Sequence, residues 1–153
     1  GAVIDLPAGP SEVMVIADAS ADPAFVAADL LSQAEHGPDS QVVLVAFAAR
    51  FAAQVQRELD RQLARLPRGA IALRALEQSR VFLAASRAEA VEIANRYAPE
   101  HLILQVREPR PMLRDLTTAG SVFDAPCTEN SPSGVAGSAR RVQATSSAPR
   151  AYS

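Results

Sequence analysis

The chain has 153 residues, a net charge of −2 and one cysteine, Cys127. That length suits one compact domain, the charge argues against a general nucleic-acid binder, and a lone thiol supplies neither an internal disulfide nor a cysteine metal site. No apolar run approaches the ~18 residues of a membrane helix, and Gly1-Ala2-Val3-Ile4-Asp5 lacks the charged start and apolar core of a signal peptide, so no membrane partner and a cytoplasmic protein are expected.

Short apolar runs alternate with helical patterns along the chain. Val13-Met14-Val15-Ile16-Ala17 is a continuous apolar run and reads as a buried strand. Asp22-Pro23 then offers an N-cap and a first-turn proline, opening a helix to about Glu35. His36-Gly37-Pro38-Asp39 stops it. Val42 to Phe47 is a second buried strand. A long helix, Ala48 to Leu66, follows, with Phe51, Val55, Leu59 and Leu63 four apart on one face. Pro67-Arg68-Gly69 breaks it, and a shorter helix covers Ala70 to Gln78.

Val81-Phe82-Leu83-Ala84 is the third strand. Ser86-Arg87-Ala88-Glu89 has the capping-box pattern and starts a helix to Arg96. Tyr97-Ala98-Pro99 is a turn, and His101 to Val106 the fourth strand. Pro109-Arg110-Pro111 leads into a helix from Met112 to Thr118, and Ser121-Val122-Phe123 is a last short strand. Strands alternating with helices predict an α/β, Rossmann-like fold: a mainly parallel sheet of four or five strands with helices on both faces. Ligands on such sheets sit at the carboxyl ends of the strands.

The domain is expected over residues 1–123. Residues 124–153 hold no Leu, Ile or Phe and are rich in Ser, Ala, Pro, Gly and Arg. So little apolar surface does not offset ordering entropy, and an irregular, divergent arm is expected. All fifteen basic residues are Arg, spread from Arg50 to Arg150 rather than gathered on one segment.

Three segments carry candidate chemistry. Gln33 and His36, three apart at a helix end, share a face. A neutral imidazole is a good zinc ligand and an amide oxygen a weak one. The alternative is structural, with His36 stabilising the helix C-terminus and Gly37 serving as its stop. Glu100 and His101 sit at the mouth of the fourth strand. A shielded carboxylate and an imidazole can act as base and proton shuttle, although strand neighbours point to opposite faces unless the backbone turns. The alternative is a solvated strand entrance. Gly9-Pro10-Ser11 before the first strand is a turn whose hydroxyl can meet a ligand. No G-x-G-x-x-G loop, P-loop or nucleophile elbow is present, and Cys127 has no histidine near it in sequence.

Four segments resemble histidinol dehydrogenases: Asp5 to Val13, Asp29 to Gln41, Asn95 to Leu104, and Ala119 to Phe123. That family oxidises L-histidinol to L-histidine in two NAD⁺-dependent steps with one zinc per site, as a homodimer. The resemblance implies Gln33 and His36 as zinc ligands and Ser11, Gln33, His36 and His101 as substrate contacts. It implies Glu100 and His101 as the acid/base pair, with Glu100 activating water. The family continues with a segment of the type G-D-Y-A-S-G-x-N-H-V-L-P-T. Here Gly134 stands where a zinc-binding Asp is implied, and Arg141 where a substrate-contacting His is implied. The family's NAD-binding region and last zinc ligand are implied to lie outside this sequence. The expectation is a fragment or degenerate relative, inactive alone unless a partner chain completes it. The competing expectations are a non-catalytic interaction domain on the same scaffold, or an enzyme using Glu100 and His101 on another small substrate.

Overall fold

The computed structural model describes residues 11–124 and 140–142. Its elements run β1 (Glu12–Ala17), α1 (Pro23–Ala34), β2 (Gln41–Ala46), α2 (Ala49–Leu63), α3 (Gly69–Glu77), β3 (Arg80–Leu83), α4 (Arg87–Tyr97), β4 (His101–Gln105), α5 (Arg110–Asp115), β5 (Ser121–Asp124) and β6 (Arg140–Val142). The sheet order is β3-β2-β1-β4-β5-β6. The first five strands pair in parallel, as the alternation predicts, and β6 adds an antiparallel partner to β5.

β1 lies inside the sheet, with Val13 opposite Val42 of β2 and His101 of β4. Its alternate residues feed two cores. Val13, Val15 and Ala17 pack with Val26, Leu30 and Leu31 of α1 and with Phe51, Val55 and Leu59 of α2. Met14 and Ile16 pack on the other face with Ala90, Val91 and Ala94 of α4 and with Met112 of α5. A strand buried on both faces must be apolar throughout, which is why this run shows no alternation. α1, α2 and α3 thus cover one face, and α4 and α5 the other.

Local signals act as their chemistry requires. The Asp22 carboxylate accepts from Ala24 N at 2.8 Å, capping α1 just before Pro23. Ser86 Oγ accepts from Glu89 N at 3.2 Å, while the Glu89 carboxylate reaches back to Ala85 N at 2.7 Å. This is a capping box displaced by one residue on its return arm.

Three boundaries differ from expectation. α2 stops at Leu63, and the next residues are tied by i→i+3 bonds from Arg65 N to Gln62 O and from Leu66 N to Leu63 O. α5 begins at Arg110, because Pro111 sits in the first turn, where a missing N–H costs nothing. It ends at Asp115, because Thr117 and Thr118 turn to bond Asn95. β6 is a strand within the arm expected to be irregular. Backbone pairing to β5 needs no apolar side chain, so its sequence carries no strand signal. Gly134 and the rest of residues 125–139 lie outside the described residues.

The carboxyl end of the sheet is laced together where the strand order reverses between β1 and β4. Asp18 N donates to Gln105 O at 3.2 Å, and the Asp18 carboxylate accepts from Arg107 N at 3.0 Å and Ser20 N at 2.9 Å. Burial opposes ionisation of Asp18, yet the hydrogen bonds from Ser20 and Arg107 hold its carboxyl below the ordinary value. This turn reads Asp18-Ala19-Ser20, contains no glycine, and is bonded across to the next loop. No described helix is long and apolar enough to cross a membrane.

Two outcomes follow from the packing. Met14 is fully buried in β1, so Met14→Ala is expected to lower unfolding free energy by about 2–5 kcal/mol in urea titrations. Asp29 of α1 accepts from Gln105 Nε2 at 2.5 Å, and burial pushes its carboxyl above the ordinary value despite that bond. The folded chain therefore holds this proton more tightly than the unfolded one. Its contribution is full below the unfolded pKa and is lost as pH rises through the folded one. Asp29→Asn, still an acceptor for Gln105, is expected to stabilise at neutral pH, with the gain vanishing below the ordinary carboxylate range. Denaturant midpoints at the two pH values check this.

Candidate functional site

All five residues singled out by sequence lie at the amino edge of the sheet, opposite the end where such folds usually bind ligands. Ser11 precedes β1. Glu100 precedes β4 and His101 opens it. α1 returns from the carboxyl end, so its last turn brings Gln33 and then His36 to the same edge. The reason is positional: each residue stands at or just before the start of a strand, or at the end of a returning helix.

The end of α1 places Gln33 and His36 differently. Gln33 is buried, and its Nε2 has no protein hydrogen-bond partner among the described residues. His36 is exposed and lies one residue beyond the helix cap at Glu35, with its N donating to Gln33 O at 3.1 Å. Gly37 does not take a positive φ, so it is not a left-handed helix stop, and the helix closes through the 31–36 backbone instead. Beside His36 opens a cavity of about 410 Å³, lined among others by Ser32, Glu35, Gln62 and Arg68.

The turn before β4 is more tightly built. Ala98 has φ 51° and is the only described non-glycine residue with positive φ, a conformation costing about 1–2 kcal/mol for an L side chain. Pro99 behind it is fully buried. Gly120 N donates to Pro99 O at 3.1 Å, and Ser121 N donates to Glu100 O at 2.9 Å. A Cβ at Gly120 would stand 2.8 Å from the Glu100 carbonyl oxygen, so only glycine lets the two backbones approach this closely. Asn95 secures the outer side. Its side chain donates to Asp115 O at 2.8 Å and accepts from Thr117 N at 3.0 Å.

This turn resolves how neighbouring residues share one side. Glu100 lies outside the strand, so its Oε1 stands 3.6 Å from His101 Nε2, an ion-pair separation when the imidazole is protonated. Glu100 is exposed and His101 about one-third exposed. His101 Nδ1 is buried and has no protein partner among the described residues. Its ring lies 6.1 Å from that of Phe123, tilted by 51°. Phe123 pairs in register with Arg141 of β6, which brings position 141 to the strand beside that ring.

A third group, silent in the sequence reading, holds these segments together. Tyr97 Oη donates to Gln41 Oε1 at 2.7 Å, and Gln41 N donates to Ser11 O at 3.2 Å. No local pattern could announce that bond, because its partners are 56 residues apart.

Among the described residues no group of three or more His, Cys, Asp or Glu is placed to hold a metal ion. Gln33 and His36 are two donors, short of the four that a tetrahedral zinc site takes. The described residues therefore do not make a zinc site by themselves.

Comparison with known proteins agrees with the four segments. The sequence model of the family described as histidinol dehydrogenase matches residues 1–153. Histidinol dehydrogenase of Xanthomonas campestris pv. campestris (strain 8004) is 58% identical over 152 residues, covering 99% of this chain and 35% of that protein. The Escherichia coli (strain K12) histidinol dehydrogenase is 58% identical over 123 residues, 80% of this chain and 28% of its own length. The crystal structure of histidinol dehydrogenase from Elizabethkingia anophelis superposes with a TM-score of 0.76 at 51% identity, covering 78% of this chain and 28% of that one. The chain thus spans about a third of the length of the Xanthomonas relative, and it belongs to the histidinol dehydrogenase family.

Proposed function

We propose that this chain is the substrate-facing portion of a histidinol dehydrogenase and that alone it does not turn over L-histidinol. The observation carrying this reading is that Ser11, the Gln33–His36 helix end and the Glu100–His101 turn share one edge of a sheet whose sequence matches the family throughout.

In this reading Glu100 takes a proton from water as its oxygen adds to an aldehyde-level carbon, and His101 relays protons to and from the substrate oxygen. The exposure of Glu100 leaves room for that water, and the turn fixed by Pro99 and Gly120 holds both groups at the strand mouth. Ser11 offers a hydroxyl to the substrate. NAD⁺, bound by polypeptide outside this chain, supplies the hydride acceptor. Gln33 and His36 contribute donors toward zinc, and the remaining ligands come from other polypeptide. A reducing, cytoplasmic setting and a homodimer belong to the same reading. The short donor set, and Gly134 and Arg141 at positions where the family resemblance implies ligands, support an inactive isolated chain.

Incubation of the chain with L-histidinol, NAD⁺ and zinc is expected to give no increase in NADH absorbance, and calorimetric titration with zinc to show only weak binding. Clear turnover would sink the claim of inactivity. Gly120→Ala is expected to destabilise by about 1–3 kcal/mol through overpacking against Glu100. Its largest amide NMR shifts should fall at Glu100 and His101. Shifts spread evenly over the sheet would argue against the close approach as the controlling contact.

A further inference from the structure

Three segments bear the candidate residues, and they come from distant parts of the chain: Ser11, the end of α1 with the loop after it from Gln33 to Ser40, and the turn from Ala98 to His101. Gln41 links all three, reaching the turn through Tyr97. It directly continues the His36 loop, its N–H is bonded to the Ser11 carbonyl, and its side-chain oxygen receives the Tyr97 hydroxyl. Tyr97 in turn immediately precedes Ala98, whose left-handed conformation sets the direction in which Pro99, Glu100 and His101 leave α4. Among the described residues, the Tyr97–Gln41 bond is the only side-chain hydrogen bond joining residues 95–101 to residues 33–41. The other side-chain and backbone bonds of the turn, from Asn95 and Gly120, fasten it to the α5–β5 side, and the ladder pairs His101 with Val13 of β1.

We propose that Tyr97 and Gln41 are positioning residues: their hydrogen bond couples the acid/base turn at Glu100–His101 to the His36 loop and Ser11, so that the parts of the site keep one geometry. This rests on the functional reading above, since it concerns the same edge. The α4 end, lacking the bond, would keep its ring packing, the pairing of His101 with Val13 and its ties to the α5 side, but it would lose its side-chain tie to the His36 loop, and the gap between Glu100 and His36 would fluctuate. Half-burial of the phenol, together with the nearby Glu12 carboxylate, holds its pKa above the ordinary value, so the hydroxyl keeps its proton and donates across the neutral range. A role confined to ending α4 would ask only for a ring packed at that position. It would not ask for a hydroxyl aimed at a residue on another strand.

Relaxation-dispersion NMR on the ligand-free chain tests this, because it reads microsecond-to-millisecond motion residue by residue. Tyr97→Phe keeps the ring and removes the hydroxyl. Gln41→Met keeps the length and removes the acceptor without touching α4. Either variant is expected to bring exchange broadening at residues 11, 36–41 and 98–101 together, with a shared rate, while 115–118 stay as sharp as in the parent chain. The double variant should be no broader than the single ones, since one bond is lost in all three. Broadening confined to 94–101, its absence from both variants, or additive broadening in the double variant would overturn the coupling. Should Tyr97→Phe fail to fold, the Gln41→Met pattern alone decides in the same way. No zinc, nucleotide or histidinol enters the measurement. A chain inert toward all three would count against the functional reading and leave this result standing.

Discussion

The parallel pairing of β1 with both β2 and β4 is the constraint from which the rest of the molecule follows. Each residue of β1 from Val13 to Ala17 is buried, and each has a partner on either side. The sequence direction reverses across this strand, sending β2 and β3 one way and β4 and β5 the other. That reversal brings the start of β4 beside the start of β1, although 88 positions separate Val13 from His101 in number. Without it, Ser11 and Glu100 would share an edge but not be neighbours on it.

The site is held by contacts that cost the chain some local comfort. Ala98 takes a backbone conformation that L residues avoid, Gly120 gives up a side chain, and two buried polar nitrogens, on Gln33 and His101, lack protein partners among the described residues. Strain and orphaned polar groups of this kind gather where geometry serves something other than stability. The carboxyl end presents the opposite case, with Asp18 satisfied from both flanking loops. The two ends of one sheet are thus finished differently, one as a closed seam and one with a strained turn and unpartnered buried nitrogens.

Much of this was legible in the residues. Apolar runs without alternation gave the buried strands, and Asp22-Pro23 and Ser86 to Glu89 marked helix starts that the structure keeps. Legibility failed where the cause was not local. β6 owes its strand to the exposed backbone of β5, not to the composition of Arg140 to Val142. α5 ends early because of Asn95, twenty residues before it. The candidate residues Ser11, Gln33, His36, Glu100 and His101 were readable as types at promising places. Tyr97, Gln41 and Gly120 were not, since a bond across 56 positions and a backbone contact with Glu100 leave no signature in either partner's neighbourhood.

The sheet has two unlike borders. β5 is covered by β6, whereas β3 stands at the outer edge with Val81 and Leu83 more than half exposed. It is only four residues long, but its outer edge, unpaired among the described residues, and its apolar side chains form a template for another strand. Such an edge makes solubility a matter of concentration as well as of stability: molecules meeting edge to edge can extend each other's sheets without either having to unfold.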